Sequence, residues 1–360
     1  MQQDPDLVDL DCKLSSAAVT PQTPQSIVQV YLLERSAVFK ELADLRRKGW
    51  ENPQGDDYFK KKRFRADHAN LALKRIFFKM MCQIGGEMHR ATSALTPATS
   101  QNGRPIILDL CMAPGGFAAS VLQANSDALV CGISLPISQG GHDMLLPNWQ
   151  SDTRVQVQFL DITMLAAEMD VTDIPVKHPD AANFLSDRPF HGERFDLVFC
   201  DGQVLRMHPR AEYREKCEAW RLLTSQLVLA MQRIKKDGKL VVLLHKLDAY
   251  HTILLLHTLS KFSSLQLFKP IKKHAVRSSF YVIAGHIQLE STYFQADVTT
   301  WKNEWRIATF GSEAEYEENK ALSDSAVRDV LRDFGTKLVK LGEPIWEVQS
   351  AALRKAPFVG

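Results

Sequence analysis

Several features that mark whole classes of protein are missing from this sequence of 360 residues. It has no run of about 18 apolar residues, so we predict no membrane-spanning helix and no membrane contact. The opening residues, Met1–Asp6, lack the basic and apolar regions of a signal peptide. The six cysteines form no Cys-x-x-Cys pair and no zinc-ligand spacing with histidine. We therefore expect no bound metal, and free thiols in a reducing, intracellular compartment.

The charge balance excludes a uniformly basic protein. The sequence has 44 Lys and Arg against 42 Asp and Glu, which gives a net charge of +2. A nucleic-acid partner would therefore have to be bound by local basic clusters. Hydrophobic residues make up 45% of the chain, enough for a substantial core in one large domain with additions or in two domains. Composition leaves the oligomeric state open.

Short β-rich segments recur after residue 105, and most are separated by connections of helix length or longer. Nearly continuous apolar strands with such connections predict a mostly parallel central sheet covered by helices on both faces, an α/β fold. Two further segments, Leu265–Phe268 and Phe280–Ala284, are predicted to pair as a hairpin. The segments of the parallel sheet are Ile106–Leu110, Ala128–Ile133, Val155–Leu160, Phe195–Cys200 and Leu240–His245.

The pattern divides the chain into four parts. Residues 1–24 are polar and are predicted to be poorly ordered. Residues 25–59 and 288–360 have helical patterns and are predicted to be extensions on either side of an α/β domain spanning 60–287. A helix from Glu212 to Ile234 is predicted to stop at Gly238, which has the position of a C-cap glycine.

One loop connects the first predicted strand to a helix and contains consecutive glycines. It reads Asp109-Leu-Cys-Met-Ala-Pro-Gly-Gly-Phe117. Glycine lets a ligand approach the main chain at the carboxyl end of a sheet, where open α/β sheets bind their ligands. The loop has neither the Gly-x-Gly-x-x-Gly of dinucleotide-binding proteins nor the Gly-Lys-Ser/Thr of phosphate-binding loops. It predicts a different ligand, or else an ordinary turn between a strand and a helix.

The same loop resembles motif I of the FtsJ-like ribose 2′-O-methyltransferases, typically Asp-Leu-Gly-x-Ala-Pro-Gly-Gly-Phe/Trp. This chain has Cys111 where that pattern has its first glycine. The resemblance extends over residues 106–285 and implies a Rossmann-like methyltransferase fold that binds S-adenosylmethionine. It includes the segments Cys131–Pro136, Phe195–Gly202, Gly238–Lys246 and Arg277–Tyr281.

The resemblance also implies which residues bind the cofactor. Ser134 stands where such folds commonly have an acid for the ribose hydroxyls. Asp161 resembles the acid that contacts the adenine amino group, although a helix N-cap is an equally good interpretation. The complete set implied is Asp109, Ala113, Pro114, Gly115, Gly116, Phe117, Ser134, Asp161 and Asp201.

Members of this family place a Lys-Asp-Lys-Glu tetrad around the target hydroxyl, which is a poor nucleophile near pH 7 and needs help to lose its proton. Asp201 and Lys246 follow two neighbouring strands and match the second and third members. Lys79 is the preferred first member, with Lys74 as the alternative. Ser279 occupies the position of the expected glutamate, and a serine cannot supply charge.

Two basic clusters are candidates for RNA binding. Lys60–Arg65 has five cations beside Phe59 and Phe64, and Lys269–Arg277 has four cations. Such clusters suit a phosphate backbone, and the aromatic rings suit unpaired bases. Each cluster could also be only a solvated face.

These observations favour S-adenosylmethionine-dependent methylation of RNA at a ribose 2′-hydroxyl. A non-catalytic module that binds cofactor and RNA is the first alternative, because Ser134 and Ser279 replace acids. A methyltransferase acting on a protein or a small molecule is the second. A nucleotide-dependent oxidoreductase fits least, because the dinucleotide fingerprint is missing.

Overall fold

A computed structural model of the protein describes residues 23–67, 71–97, 103–204, 208 and 210–359. The sequence-based prediction for residues 1–24 lies almost entirely outside them. Among the described residues, no helix combines the length and apolar character needed to cross a membrane. Ten α-helices and seven strands are described. The helices are α1 Pro24–Arg35, α2 Ala37–Glu51, α3 Pro53–Asp67, α4 Leu71–Thr92, α5 Gly116–Ala124, α6 Glu218–Arg233, α7 Tyr250–Ser260, α8 Thr292–Phe310, α9 Glu313–Lys320 and α10 Asp324–Leu353.

The seven strands form one sheet in the order β3-β2-β1-β4-β5-β7-β6. Only β7 runs antiparallel to its neighbours, so the predicted mostly parallel sheet and the predicted hairpin are both confirmed. The strands are β1 Ile106–Leu110, β2 Leu129–Ser134, β3 Val155–Phe159, β4 Phe195–Cys200, β5 Ile234–Leu244, β6 Ser264–Phe268 and β7 Phe280–Gly285.

Alternating strand residues point to two separate cores, one on each face of the sheet. Ile107 of β1 packs with residues of α4 and α5, whereas its neighbour Leu108 packs with residues of α1, α2, α6, α7, α8 and α10. This alternation is the two-residue period of a strand with both faces covered. The helices of both chain ends therefore contribute to the core on the face opposite α4 and α5.

The end of α6 differs from the sequence-based prediction. The helix ends at Arg233, not at Gly238, and β5 begins directly at Ile234, which is buried and pairs with Phe195. The pairing of β4 with β5 shifts register before Leu197, and Asp237 has a φ of 61°. A Cβ on Gly238 would lie 2.8 Å from Ile234 Cγ1. The glycine thus serves this irregular strand pairing, and the helix C-cap prediction was wrong.

Candidate active site

The pairing of the strands brings the predicted residues to one edge of the sheet. Leu110 at the end of β1 pairs with Cys200 at the end of β4, and Asp201 follows directly. Leu244 at the end of β5 pairs with Phe280, the first residue of the antiparallel β7. Asp201, Lys246 and Ser279 therefore lie beside this edge, where open α/β sheets bind ligands.

The loop after β1 adopts backbone conformations that favour glycine at two positions. Gly115 has a φ of 95°, in the left-handed region, and it caps the N-terminus of α5. Cys111 has a φ of 67°, which explains why the family pattern has glycine at that place. A non-glycine residue there costs about 1–2 kcal/mol. The Cys111 side chain packs closely on Gly202, because a Cβ on Gly202 would lie 2.5 Å from Cys111 Sγ.

Gly116 and the side chain of Phe117 contribute to packing within the protein. A Cβ on Gly116 would lie 2.3 Å from Met81 Cβ, so this glycine allows α4 to cross α5 closely. The Phe117 ring is buried and stacks on Phe199, with 5.1 Å between ring centroids. The side chain of Phe117 is thus a core element. A cofactor role for Gly116 and Phe117 stays a prediction for their backbone atoms.

Ser134 and Asp161 are both engaged within the protein. The Ser134 hydroxyl accepts a hydrogen bond of 3.2 Å from the Ala113 N–H, so it holds the loop after β1 in place and can still donate its own proton. Asp161 Oδ1 accepts from the N–H and the hydroxyl of Thr163, and its Oδ2 lies 3.3 Å from Arg214 Nη2. The N-cap interpretation of Asp161 is correct. A contact with adenine stays a prediction.

Two carboxylates at the strand ends are buried and incompletely paired. Asp109 is 2% exposed, and its Oδ2 accepts no hydrogen bond from the described part of the chain. Oδ1 of Asp201 is buried in the same way. Burial raises the pKa of Asp201 to about 7, and the Tyr281 hydroxyl donates a hydrogen bond that opposes this rise. Burial and the nearby charge of Asp201 raise the pKa of Asp109 well above its usual range.

This pair of acids fits a cationic ligand. Burial of two neighbouring carboxylates with unsatisfied oxygens costs free energy, which a positive group placed between them would recover. The sulfonium and the ammonium of S-adenosylmethionine are such groups. A Cβ on Gly115 would lie 3.0 Å from both Leu146 Cβ and Met144 Sδ, so this glycine makes room for the loop after β2. The fit of this edge to that cofactor therefore rests on the two acids.

Neighbouring backbone and side-chain contacts hold the catalytic candidates in position. The side-chain amide of Gln226, on α6, accepts from the Gly202 N–H at 2.8 Å, directly after Asp201. Lys246 has a φ of 48°, and its N–H donates to the Ser278 carbonyl at 3.2 Å. This bond connects the end of β5 to the segment that carries Ser279. Gln226 and Tyr281 were not predicted from the sequence, since no local pattern distinguishes them from other polar or aromatic residues.

The two candidates for the first lysine have different surroundings on α4. Lys74 Nζ lies 2.6 Å from Asp143 Oδ2, in an ion pair between α4 and the loop after β2. Lys79 is exposed, one residue after Phe78, whose carbonyl lies against Gly116. The choice of Lys79 over Lys74 as the first lysine stays a prediction.

Lys269 corrects the prediction of a basic surface over Lys269–Arg277. The side chain is only 4% exposed, and Nζ donates hydrogen bonds to the carbonyls of Arg277 at 2.6 Å and Ser279 at 2.7 Å. A third, longer bond reaches His274. Burial lowers the pKa of Lys269 to about 7. This lysine supports the loop from inside and is not available to a phosphate, whereas Lys272 is exposed.

The cluster at Lys60–Arg65 is on α3, and one of its two aromatic residues does not face solvent. Phe59 is half-buried and contacts Phe358 near the end of the chain, with 5.5 Å between centroids. Its predicted stacking on bases is therefore wrong, because the ring belongs to the core. Lys60, Lys61 and Phe64 are exposed. RNA binding by this cluster stays a prediction.

A buried ionic network supports the loop after β4. Arg214 lies 3.0 Å from the Thr163 hydroxyl and also pairs with Glu218. Arg221 is fully buried and donates to the Thr163 carbonyl at 3.0 Å and to Glu218 at 2.8 Å. The network joins α6 to the segment after β3 and so fixes Asp161. Charged residues in a helix usually indicate a solvated face, which is why the sequence did not predict it.

Comparison with known proteins gives a family match and several structural likenesses. Residues 87–286 match the model of the FtsJ-like methyltransferase family, more than half of the chain. No curated protein sequence matches. A structure described as a ribosomal RNA methyltransferase from Plasmodium falciparum is 17% identical, covers 56% of this chain and 93% of its own, and has a TM-score of 0.34. An O-methyltransferase family protein from Burkholderia thailandensis is 11% identical, covers 74% and 72%, and has a TM-score of 0.35.

Proposed function

Because the chain belongs to the FtsJ-like methyltransferase family, we propose that it transfers the methyl group of S-adenosylmethionine to a ribose 2′-hydroxyl of RNA. The observation that supports this function most directly is the pair of buried carboxylates, Asp109 and Asp201, at the strand ends beside Lys246. A cationic ligand would stabilise the ionised form of the two buried acids. Lys246 follows β5, the strand that pairs with β4, and would serve the acceptor.

Asp109 and Asp201 would hold the positively charged part of the cofactor, with the main chain around Gly115 against the rest. The cofactor supplies an electrophilic methyl group when it is bound. Because burial raises its pKa, the Asp201 carboxyl can hold a proton when no ligand is bound. A positive group placed beside it would lower that pKa and favour loss of the proton. Tyr281 keeps Asp201 in place through its hydroxyl.

Lys246 would act on the acceptor hydroxyl. It can accept the hydroxyl proton as a neutral amine, or orient the oxygen as an ammonium. Its backbone bond to Ser278 fixes the position from which the side chain extends. Lys79, on the exposed side of α4, would assist from the opposite side of the acceptor as the first lysine of the tetrad.

The proposed function is tested by incubating the full chain with total RNA and S-adenosylmethionine labelled with tritium in the methyl group. Digestion of the RNA to nucleosides then identifies the modified position. We expect label in 2′-O-methylated nucleosides. Label confined to bases would contradict the ribose assignment, and label only in added protein or in small molecules would contradict RNA as the substrate.

A catalytically impaired module that binds cofactor and RNA is the second candidate. The residue that favours it is Ser279, which is 4% exposed and stands where the family pattern has a glutamate. A buried hydroxyl can orient a ribose, but it cannot stabilise a neighbouring cation as a carboxylate does.

The substitution Ser279→Glu separates these two candidates. The Lys269 ammonium donates to the backbone carbonyl of residue 279, so a counter-charge for the new carboxylate is already close. If the serine has impaired an ancestral tetrad, we expect Ser279→Glu to raise methyl transfer at least about tenfold, the lower range of a general acid–base contribution. Ser279→Gln has the same size without the charge and should not raise it. Equal or lower activity for Ser279→Glu, in a variant whose thermal unfolding is unchanged, would show that the serine is the residue this site requires.

A further inference from the structure

A groove of about 470 Å³ lies between α4, α5 and the loop that joins β6 to β7. Its floor includes Gly86, and its rim carries Arg90 on α4 and Lys272 and Lys273 on the loop between β6 and β7. Gln123 of α5 contributes to the other side. The groove is therefore formed by three elements that the fold brings together, and no stretch of sequence contains it.

The lining of the groove is basic. Its three cations stand against one carboxylate, Glu87, and Oε2 of Glu87 accepts a hydrogen bond of 3.1 Å from the Ile271 N–H. This bond fixes the loop that carries Lys272 and Lys273 against α4. Glu87 thus holds the two walls of the groove together. With three cations and this one carboxylate, the lining carries a net positive charge.

The groove lies on the same face of α4 as Lys79, the candidate first lysine. Lys79, Gly86 and Arg90 are separated by seven and four residues, so they share one side of α4. The turn of α4 that contains Lys79 packs on Gly116, the first residue of α5, because a Cβ on Gly116 would lie 2.9 Å from the Phe78 carbonyl oxygen and 2.3 Å from Met81 Cβ. A chain of phosphates that follows this face would therefore arrive at Lys79 and then at the strand ends.

We propose that this groove binds the phosphate backbone of a single-stranded RNA segment that flanks the target ribose. The proposal rests on the proposed RNA function of the neighbouring site. Arg90, Lys272 and Lys273 provide separate cations on two walls, an arrangement that suits successive phosphates. The polar Gln83 and Gln123 add hydrogen-bond donors to the same surface.

Gly86 offers a direct test, since a side chain placed there enters the groove without disturbing the core. A Cβ on Gly86 would meet only Arg90 Nη1, at 3.4 Å, and helix interiors tolerate other residues better than glycine. We expect Gly86→Glu to weaken binding of a fluorescein-labelled 20-nucleotide oligouridylate by about fivefold at 50 mM salt, as one repulsive charge near a phosphate implies. Gly86→Gln controls for bulk, and Gly86→Arg should bind at least as tightly as the Gln variant.

A second set of variants measures the cations themselves. Combined Arg90→Ala, Lys272→Ala and Lys273→Ala should reduce the slope of log K against log salt by about 2 for a single strand. The matched control is combined Arg332→Ala, Lys337→Ala and Lys340→Ala, which removes the same charge from exposed positions on α10. We expect the control to leave the slope unchanged apart from a small general effect.

Three outcomes would overturn the proposal: equal slopes for the two triple variants, equal binding by Gly86→Glu and Gly86→Gln, or displacement of the oligouridylate by polyglutamate as efficiently as by unlabelled RNA. The last would assign the groove to an acidic peptide. Methyl transfer to total RNA, measured on the same proteins, separates this failure from failure of the proposed function. If the groove variants still transfer methyl groups and bind the oligouridylate as tightly as the unaltered protein, only the groove proposal is rejected.

Discussion

Replacing Lys246 with alanine is expected to lower methyl transfer to RNA by at least about a hundredfold, the usual contribution of a general acid–base group. Binding of S-adenosylmethionine, measured by calorimetry, should hardly change, because the lysine is assigned to the acceptor. Lys236→Ala is the matched control: it changes the same residue type on β5, the strand that precedes Lys246, at an exposed ion pair with Glu290. That variant should retain full activity.

Lys246→Arg distinguishes a base from an orienting cation. Arginine keeps the positive charge but does not deprotonate in proteins. If Lys246 accepts the proton, Lys246→Arg should be as inactive as Lys246→Ala. If Lys246 only orients the oxygen as a cation, Lys246→Arg should retain part of the methyl-transfer activity. Full activity in Lys246→Ala would remove this lysine from the chemistry.

Cofactor binding is expected to strengthen by about tenfold between pH 6 and pH 8. The physical reason is Asp201, whose pKa burial raises to about 7 and which must lose its proton to pair with a cationic ligand. Calorimetry in buffers of different ionisation enthalpy should record proton release at pH 6 and little at pH 8. Asp201→Asn should abolish this pH dependence and lower methyl transfer by about a hundredfold.

The stability of the protein without ligand should change in the opposite direction with pH. The pKa of Asp201 in the folded state is above its unfolded value of 3.8, so the folded protein holds this proton more tightly. The contribution of Asp201 to stability is therefore present at low pH and is lost as pH rises from about 4 to about 7. Asp201→Asn should flatten this part of the profile. If cofactor binding by Asp201→Asn keeps the pH profile of the unaltered protein, the pH dependence of binding belongs to a group other than Asp201.

The sequence sufficed for features that rest on local patterns. The strands were predictable because they are short apolar runs separated by longer connections, and the placement of Asp201 and Lys246 at strand ends was predictable because each directly follows such a run. The family resemblance added the prediction that the loop Asp109–Phe117 binds the cofactor. The structure adds what the cysteine at 111 does: it adopts a left-handed conformation that would favour glycine, and its side chain packs on Gly202.

Features that depend on distant contacts were not accessible from the sequence. Lys269 resembled one more cation of a surface cluster, and only the fold shows that its ammonium lies beneath the loop. Gly238 had the spacing of a helix cap, but the pairing of Ile234 with Phe195 extended the strand and overrode that local signal. Phe59 was similarly ambiguous until the fold placed Phe358 against it.

The buried ammonium of Lys269 also bears on the entropy of substrate binding. A loop of 11 residues, 269–279, would ordinarily lose conformational freedom when a ligand orders it. Here the hydrogen bonds to the carbonyls of His274, Arg277 and Ser279 impose that order during folding. If RNA binds as proposed, it would meet Lys272 and Lys273 on a loop that is already ordered, and less of the interaction energy would be spent on ordering the protein.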